Sequence, residues 1–295
     1  MSLTLKAYAK INLTLEVLAK RPDGYHEVAS ILQTVSLADT LTFEPGETLD
    51  FSCDVPNLQS PNNLVLKAAK LLREATGCTR GAAIHLTKRI PIAAGLGSGS
   101  TDAAATLVGL NQFWELNLSL DKLTDLAVQL GSDVAFFLYG GTALAKGRGE
   151  QITPLPPAPE LWLVLLKPAV KPVPSKTAQL YSRLNPSHFT SGQHTGKLVA
   201  HLNHGGNADD SFLFNVFEQV AFDFFPRLSD YRSSLLKADA RNVHLAGSGP
   251  ALFTLLTDKT HGESIIKRLE NEGQKAYLVH TINAAPLAVR GERQC

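Results

Sequence analysis

From Leu3 to Val17 the chain alternates without a miss: Leu3, Leu5, Ala7, Ala9, Ile11, Leu13, Leu15 and Val17 share one face. That period predicts a half-buried strand or strand pair. The opposite face carries Tyr8, Lys10, Asn12 and Thr14, so Lys10 and Asn12 point the same way. Taken alone, Lys10 reads as a solvated strand position. Arg21-Pro22-Asp23-Gly24 signals a turn, with Tyr25 and His26 at its exit and strand again from Val28 to Phe43. Helical spacing takes over from Asn63 to Thr76, stopped by Gly77. Ala82 to Thr87 reads as a short strand. Ala103 to Phe113 is apolar almost all round, as in a buried helix, with Asp102 as a capping carboxylate at its start. Ser119 to Leu130 is a capped helix ended by Gly131. Ser132 then caps a short apolar helix and places Asp133 in its first turn. Gly140 to Ile152 reads as a strand carrying Lys146 and Arg148.

Pro154-Leu155-Pro156-Pro157-Ala158-Pro159 continues neither helix nor sheet and marks the domain boundary. The expected domains are residues 1–153 and 160–284. The second holds a core strand at Leu161 to Leu166, a helix at Ser175 to Leu184 and a polar, histidine-rich loop at Asn185 to Asn207. Aromatic-rich helix follows from Asp210 to Ala240. Then come a strand-turn-strand around Gly247-Ser248-Gly249-Pro250, a helix at Ser264 to Asn271 and a strand at Lys275 to Ile282. The mixture predicts an α+β fold of the split βαβ type.

At 295 residues and 44% hydrophobic, the chain can bury one large core or two medium ones. A net charge of +1 creates no field for nucleic acid or anionic lipid. Neither is expected as a partner, and a monomer or homodimer is. Cys53, Cys78 and Cys295 are odd in number and far apart, which fits neither a disulfide framework nor a zinc site. There is no signal-peptide pattern and no apolar run of about 18 residues, so a cytoplasmic location is expected. The tail from Val289 to Cys295 lacks the C-a-a-X form.

The densest chemical signal is Pro91 to Ala105, which reads PIAAGLGSGSTDAAA. Gly95, Gly97 and Gly99 alternate with hydroxyls at Ser98, Ser100 and Thr101. Glycines let the backbone turn its N–H groups inward, and a helix start beyond adds unpaired donors and a positive dipole end. The product is an anion cradle, most often for phosphate. The loop fits neither G-x-x-x-x-G-K-[ST] nor G-x-G-x-x-G. A glycine-rich turn without a ligand is the plain alternative. A kinase also needs a cation and a group that orients the attacking hydroxyl. Lys10 and Asp133 supply the types, since a helix N-terminus favours a carboxylate able to accept a proton. The turn at Gly247 to Pro250 braces the loop, touches a nucleotide, or is a simple β-turn.

Three stretches in order resemble the motifs of the GHMP kinases: Tyr8-Ala9-Lys10-Ile11-Asn12-Leu13, the glycine loop, and His244-Leu245-Ala246-Gly247-Ser248-Gly249. AKINL, RPDGYHE and GSDVAFFL together are similar to those members whose acceptor is a cytidine-diphosphate-linked methylerythritol. The resemblance implies a two-domain fold, an N-terminal α/β domain with a ferredoxin-like C-terminal domain. It implies ATP along the loop from Pro91, with Gly95, Gly97, Ser98, Gly99, Ser100 and Thr101 around the phosphates. Asn63 and Lys88 would lie near the adenosine. Asp133 would take the proton of the 2-hydroxyl beside Lys10, Asn12 would hold the polyol, and Lys146 would contact substrate phosphates. Tyr25 and His26 would grip the cytidine, with Tyr181 as a second aromatic wall. Magnesium is implied with ATP, without assigned ligands. The reaction would belong to the non-mevalonate route to isoprenoid precursors.

Two departures stand out. The family usually reads GLGGGSSDAA, so Ser98 must tolerate the local backbone. Where members often carry Asn-Asp-Leu-Glu, this chain has Asn215-Val216-Phe217-Glu218, which weakens a role for that segment. The rivals are a kinase for a small alcohol such as homoserine, a non-catalytic nucleotide binder on the same fold, and a metal site in the histidine loop.

Overall fold

The structure, a computed structural model, describes residues 2–157 and 159–283. Cys295 and the tail from Val289 lie outside the described residues. Strand β1 (Leu3–Lys20) pairs antiparallel with β2 (His26–Glu44) in one long ribbon, with register shifts at Tyr8/Ala9, Asn12/Thr14 and Val17/Ala19. Every residue from Ala9 to Val17 is buried, polar ones included. Lys10 is therefore not a solvated strand position: it is 4% exposed. The alternation identified one buried face correctly, but β1 lies inside a sheet that is covered on both sides.

β3 (Leu49–Cys53), α1 (Leu64–Thr76), β4 (Ala82–Thr87), α2 (Ser98–Phe113), α3 (Leu120–Leu130) and α4 (Val134–Tyr139) follow. A hairpin of β5 (Thr142–Lys146) and β6 (Gln151–Pro154) replaces the single strand expected there. The sheet runs β3-β4-β2-β1, with β5 also paired to β2. The four helices cover one face through a core that includes Phe43, Leu72, Leu107 and Phe136. Helix α2 begins at Ser98, so Asp102 sits in its second turn and does not cap it. Asp133 is the N-cap residue of α4, one place earlier than the pattern suggested.

Beyond the prolines come β7 (Trp162–Lys167), α5 (Lys176–Arg183) and α6 (Gln193–Asn203). Helix α6 lies within the stretch expected to be loop. It forms because Thr195, Leu198 and Leu202 share a buried face at helical spacing. The buried Glu16 carboxylate also accepts hydrogen bonds from the backbone N–H groups of His194 and Thr195 at its start, at 3.3 and 2.7 Å. Its histidines stack on aromatics, His194 on Phe214 and His201 on Phe212. Among the described residues no group of three His, Cys, Asp or Glu side chains could hold a metal ion.

The expected long helix after Asp210 is broken into β8 (Phe214–Asn215), α7 (Glu218–Phe224) and α8 (Leu228–Lys237), with Pro226 between the helices. β8 joins the first sheet parallel to β1. Then come β9 (His244–Leu245), β10 (Leu252–Leu255), α9 (Lys259–Asn271) and β11 (Lys275–His280), which with β7 make an antiparallel sheet in the order β11-β7-β10-β9. Val164 and Leu166 of β7 face Leu228, Leu235 and Ile265. The alternate residues Leu163 and Leu165 face Ile11, Leu13 and Ile31 of the first sheet. The second sheet thus supplies the cover that buries the back of β1. Among the described residues no helix is long and apolar enough to cross a membrane.

Candidate active site

The glycine loop runs from β4 to α2 and is pinned on two sides. The Lys10 N–H of β1 donates to the Leu96 carbonyl at 3.1 Å, and the Ala251 N–H donates to the Ala94 carbonyl at 3.1 Å. Gly95 and Gly97 have φ of +89° and +74°, in the left-handed region. A Cβ on Gly95 would land on the Ala246 carbonyl oxygen and lie 2.9 Å from the Gly249 nitrogen. The loop and the turn at residues 247–250 therefore touch backbone to backbone. Ser98 has no positive φ and is the first residue of α2, so the serine at a usual glycine position costs no strain.

The segment that departs from Asn-Asp-Leu-Glu keeps the two outer residues, and these carry the contacts. Asn215 Nδ2 donates to the carbonyls of Leu245 and Gly247 at 2.9 and 2.8 Å, and Glu218 accepts the Leu245 N–H at 2.8 Å. The replaced inner residues, Val216 and Phe217, are buried core. The segment braces the second turn.

Beneath the loop Lys88 is buried and paired with two carboxylates, Asp39 at 2.5 Å and Asp102 at 2.6 Å, and it donates to Ser98 Oγ at 2.7 Å. Asp39 also accepts the N–H groups of Arg89 and Ile90. Burial pushes the Asp102 carboxyl up to about 7, against the pull of Lys88. The Lys88 charge, expected near the adenosine, is thus committed to holding the loop from below, although the residue lines the cleft.

A cleft of about 780 Å³ opens above the loop. Lys10, Asn12, Asn63, Gly95, Gly97, Ser98, Gly99, Ser100, Asp133 and Tyr181 all line it, as expected from the sequence. Lys10 Nζ lies 3.6 Å from Asp133 Oδ2 and donates to Asn12 Oδ1 at 2.8 Å. Asn12 in turn donates to Ser30 Oγ at 2.8 Å, which fixes its amide. The Lys10 side chain is 5% exposed and that of Asp133 41%, so the carboxylate faces the open cleft while the cation backs it. At the far end Asn63 caps α1 by accepting the Val65 N–H.

The aromatic end differs from expectation in its detail. Tyr181 stacks directly on His26, centroids 4.7 Å apart at 17°, and meets Phe217 edge-on. Tyr25 is 54% exposed, with the Arg148 guanidinium 4.7 Å from its ring centroid. Neither Tyr25 nor His26 lines the cleft; Tyr181, Phe217 and Arg148 do. Burial, with Lys20 nearby, lowers the His26 pKa, which favours the neutral ring. Lys146, expected at the substrate phosphates, sits exposed at the end of β5 and does not line the cleft, because the tight β5–β6 turn presents Arg148 there instead. Pro91 and Thr101 are buried and are not part of its lining. Sequence reasoning missed Lys176, Phe217 and the Asp39–Lys88–Asp102 cluster. Lys88 and Asp102 lie 14 positions apart and Asp39 49 from Lys88, so no local pattern joins them.

The family models for the GHMP kinases N terminal domain and GHMP kinases C terminal match residues 63–141 and 194–275. A 4-diphosphocytidyl-2-C-methyl-D-erythritol kinase of Dehalococcoides mccartyi is 48% identical, covering 95% of this chain and 98% of that one. The enzyme of that name from Pelotomaculum thermopropionicum is 42% identical, covering 96% and 99%. A crystal structure of 4-(cytidine 5'-diphospho)-2C-methyl-D-erythritol kinase superposes with a TM-score of 0.80 at 34% identity, covering 95% and 99%. A homoserine kinase structure from Cytophaga hutchinsonii has a TM-score of 0.73 at 20% identity, a likeness of fold alone. The glycine loop, the Lys10–Asp133 pair and full-length similarity at these identities agree: the chain belongs to the 4-diphosphocytidyl-2-C-methyl-D-erythritol kinases of the GHMP kinase superfamily.

Proposed function

We propose that this kinase transfers the terminal phosphoryl group of ATP to the 2-hydroxyl of 4-diphosphocytidyl-2-C-methyl-D-erythritol, a step in making isoprenoid precursors without mevalonate. The observation that carries the reading is Asp133 beside Lys10, 3.6 Å apart, in the same cleft as the glycine loop. Asp133 accepts the proton of the attacking hydroxyl. Lys10, held by Asn12, offsets charge on the transferred group. The loop's inward N–H groups and the start of α2 bind the donor phosphates. Leu58, Asn63 and Leu64 form the wall for the adenosine. Tyr181, with Phe217 behind it, offers a flat face for the cytosine. Positioning and electrostatics supply most of the rate in such transfers.

Magnesium fits as an ion that arrives with the triphosphate and takes most of its ligands from phosphate and water. Among the described residues Asp102 and Asp133 are the carboxylates lining the cleft, and Asp102 Oδ1 has no hydrogen-bond partner. Asp102 would hold the ion, which when bound neutralises phosphate charge. The division of the chain at the prolines, residues 1–153 and 160–284, would give the donor phosphates to the first part and the cytosine face to the second, with the cleft lined by both. The test is the position of the new phosphate. Carbon-13 spectra of the purified product should show phosphorus coupling from a new phosphomonoester on the quaternary C2 of the methylerythritol and on its attached methyl carbon. A phosphate on any other carbon would reject the reading.

A further inference from the structure

Lys176 begins α5, and its Nζ donates to the Ala93 carbonyl at 3.1 Å and to the Gly249 carbonyl. The first belongs to the glycine loop and the second to the facing turn. The next residue repeats the link, with Thr177 Oγ1 at 3.0 Å from Ser248 Oγ. An ammonium has three donors. Two are used here, and the third has no partner among the described residues.

Three lysines line the cleft. Lys88 is matched by two carboxylates and Lys10 by Asp133. Lys176 has no carboxylate partner among the described residues; the charge that acts on it is Lys10, another cation. Lys176 is half-buried, and a cation taken partly out of water without a countercharge is costly unless something completes it. The residue lines the same cleft as the glycine loop, whose geometry suits anions.

We propose that Lys176 is a phosphate-binding residue of this cleft, its free donor and its charge completed by phosphate oxygens of a bound nucleotide, so that it ties both glycine turns to them. The inference rests on the phosphoryl-transfer reading above. Burial and Lys10 bring the lysine down to about 8, so it is mostly protonated at neutral pH, and a phosphate beside it favours the charged form further. The other charged groups on the walls around it are Asp133, Arg148, Lys88 and Asp102, with Lys167 and Lys171 on the outer side.

Calorimetric titration of the full chain tests this with ATP, ADP, adenosine, cytidine 5'-diphosphate and cytidine, on the parent, Lys176→Met and Lys176→Arg. Lys176→Met should weaken a phosphorylated ligand roughly 10- to 100-fold, the size of a charged hydrogen bond, and leave its nucleoside within about twofold. Lys176→Arg should restore most of the loss, and its affinity should hold above pH 8, where the parent's declines. Loss on ATP and ADP places the contact on the donor, and loss on cytidine 5'-diphosphate places it on the acceptor; either supports the proposal. Equal losses for nucleotide and nucleoside, or no loss in a variant that melts like the parent, would overturn it. A parent that binds ATP no better than adenosine would instead sink the underlying phosphate-site reading.

Discussion

Replacing Gly95 by alanine attacks the contact that builds the site. The residue sits at φ +89°, where a Cβ costs about 1–2 kcal/mol. That Cβ would also land on the Ala246 carbonyl oxygen and lie 2.9 Å from the Gly249 nitrogen. Both obstacles are backbone, so no side chain can swing aside, and overpacking of this kind adds roughly 1–3 kcal/mol. The turn must move off the loop, away from Lys10 and the loop donors proposed to cradle phosphate. Denaturant unfolding should show Gly95→Ala less stable by about 2–5 kcal/mol, with melting lower by roughly 5–15 °C. The Michaelis constant for ATP should rise at least about tenfold, a loss of 1.4 kcal/mol in binding. Gly99→Ala is the control. Its Cβ would meet only Leu64 Cδ1 at 3.4 Å, without a positive φ, so stability should stay within about 0.5 kcal/mol. A Gly95→Ala protein with parental stability and parental affinity for ATP would refute the claim that the two turns assemble the cradle by close contact.

Asp133→Asn should lower turnover by about 10²- to 10⁴-fold while calorimetric ATP affinity stays near the parent's; parental turnover would remove Asp133 as the proton acceptor. Tyr181→Ala should chiefly raise the Michaelis constant for the cytidine substrate, by roughly 10-fold for a lost stacking face; a fall in turnover alone would contradict stacking. The Asp102 carboxyl is raised by burial to about 7 from 3.8, so its neutral form is favoured on folding. Its contribution is complete below about pH 4 and is lost as pH rises through about 7. Asp102→Asn should therefore flatten the fall in unfolding free energy over that window, and an unchanged slope would mean that Asp102 does not titrate there.

The residues that line the cleft were legible in the sequence where short motifs hold them. The alternation placed Lys10 and Asn12 side by side, and the glycine spacing located the loop. What escaped is what the chain assembles from afar. Lys10 reads as solvated until the second sheet covers β1, and that cover is specified by Leu163, Leu165 and Phe253, far along the chain. Helix α6 was hidden in polar sequence because a carboxylate on β1, Glu16, caps it. Lys176 carries no local signal at all, since the two carbonyls it reaches lie 83 and 73 positions away. Asn63 and Gly77, by contrast, bounded α1 correctly because caps are local chemistry.

The most direct test of the account is ATP consumption by the purified protein with magnesium and a panel of acceptors: 4-diphosphocytidyl-2-C-methyl-D-erythritol, homoserine, mevalonate and none. The account predicts turnover with the cytidine substrate alone, because only that acceptor joins a hydroxyl for Asp133 to a base for Tyr181. Turnover with homoserine or mevalonate, or ATP binding without turnover on any acceptor, would contradict it.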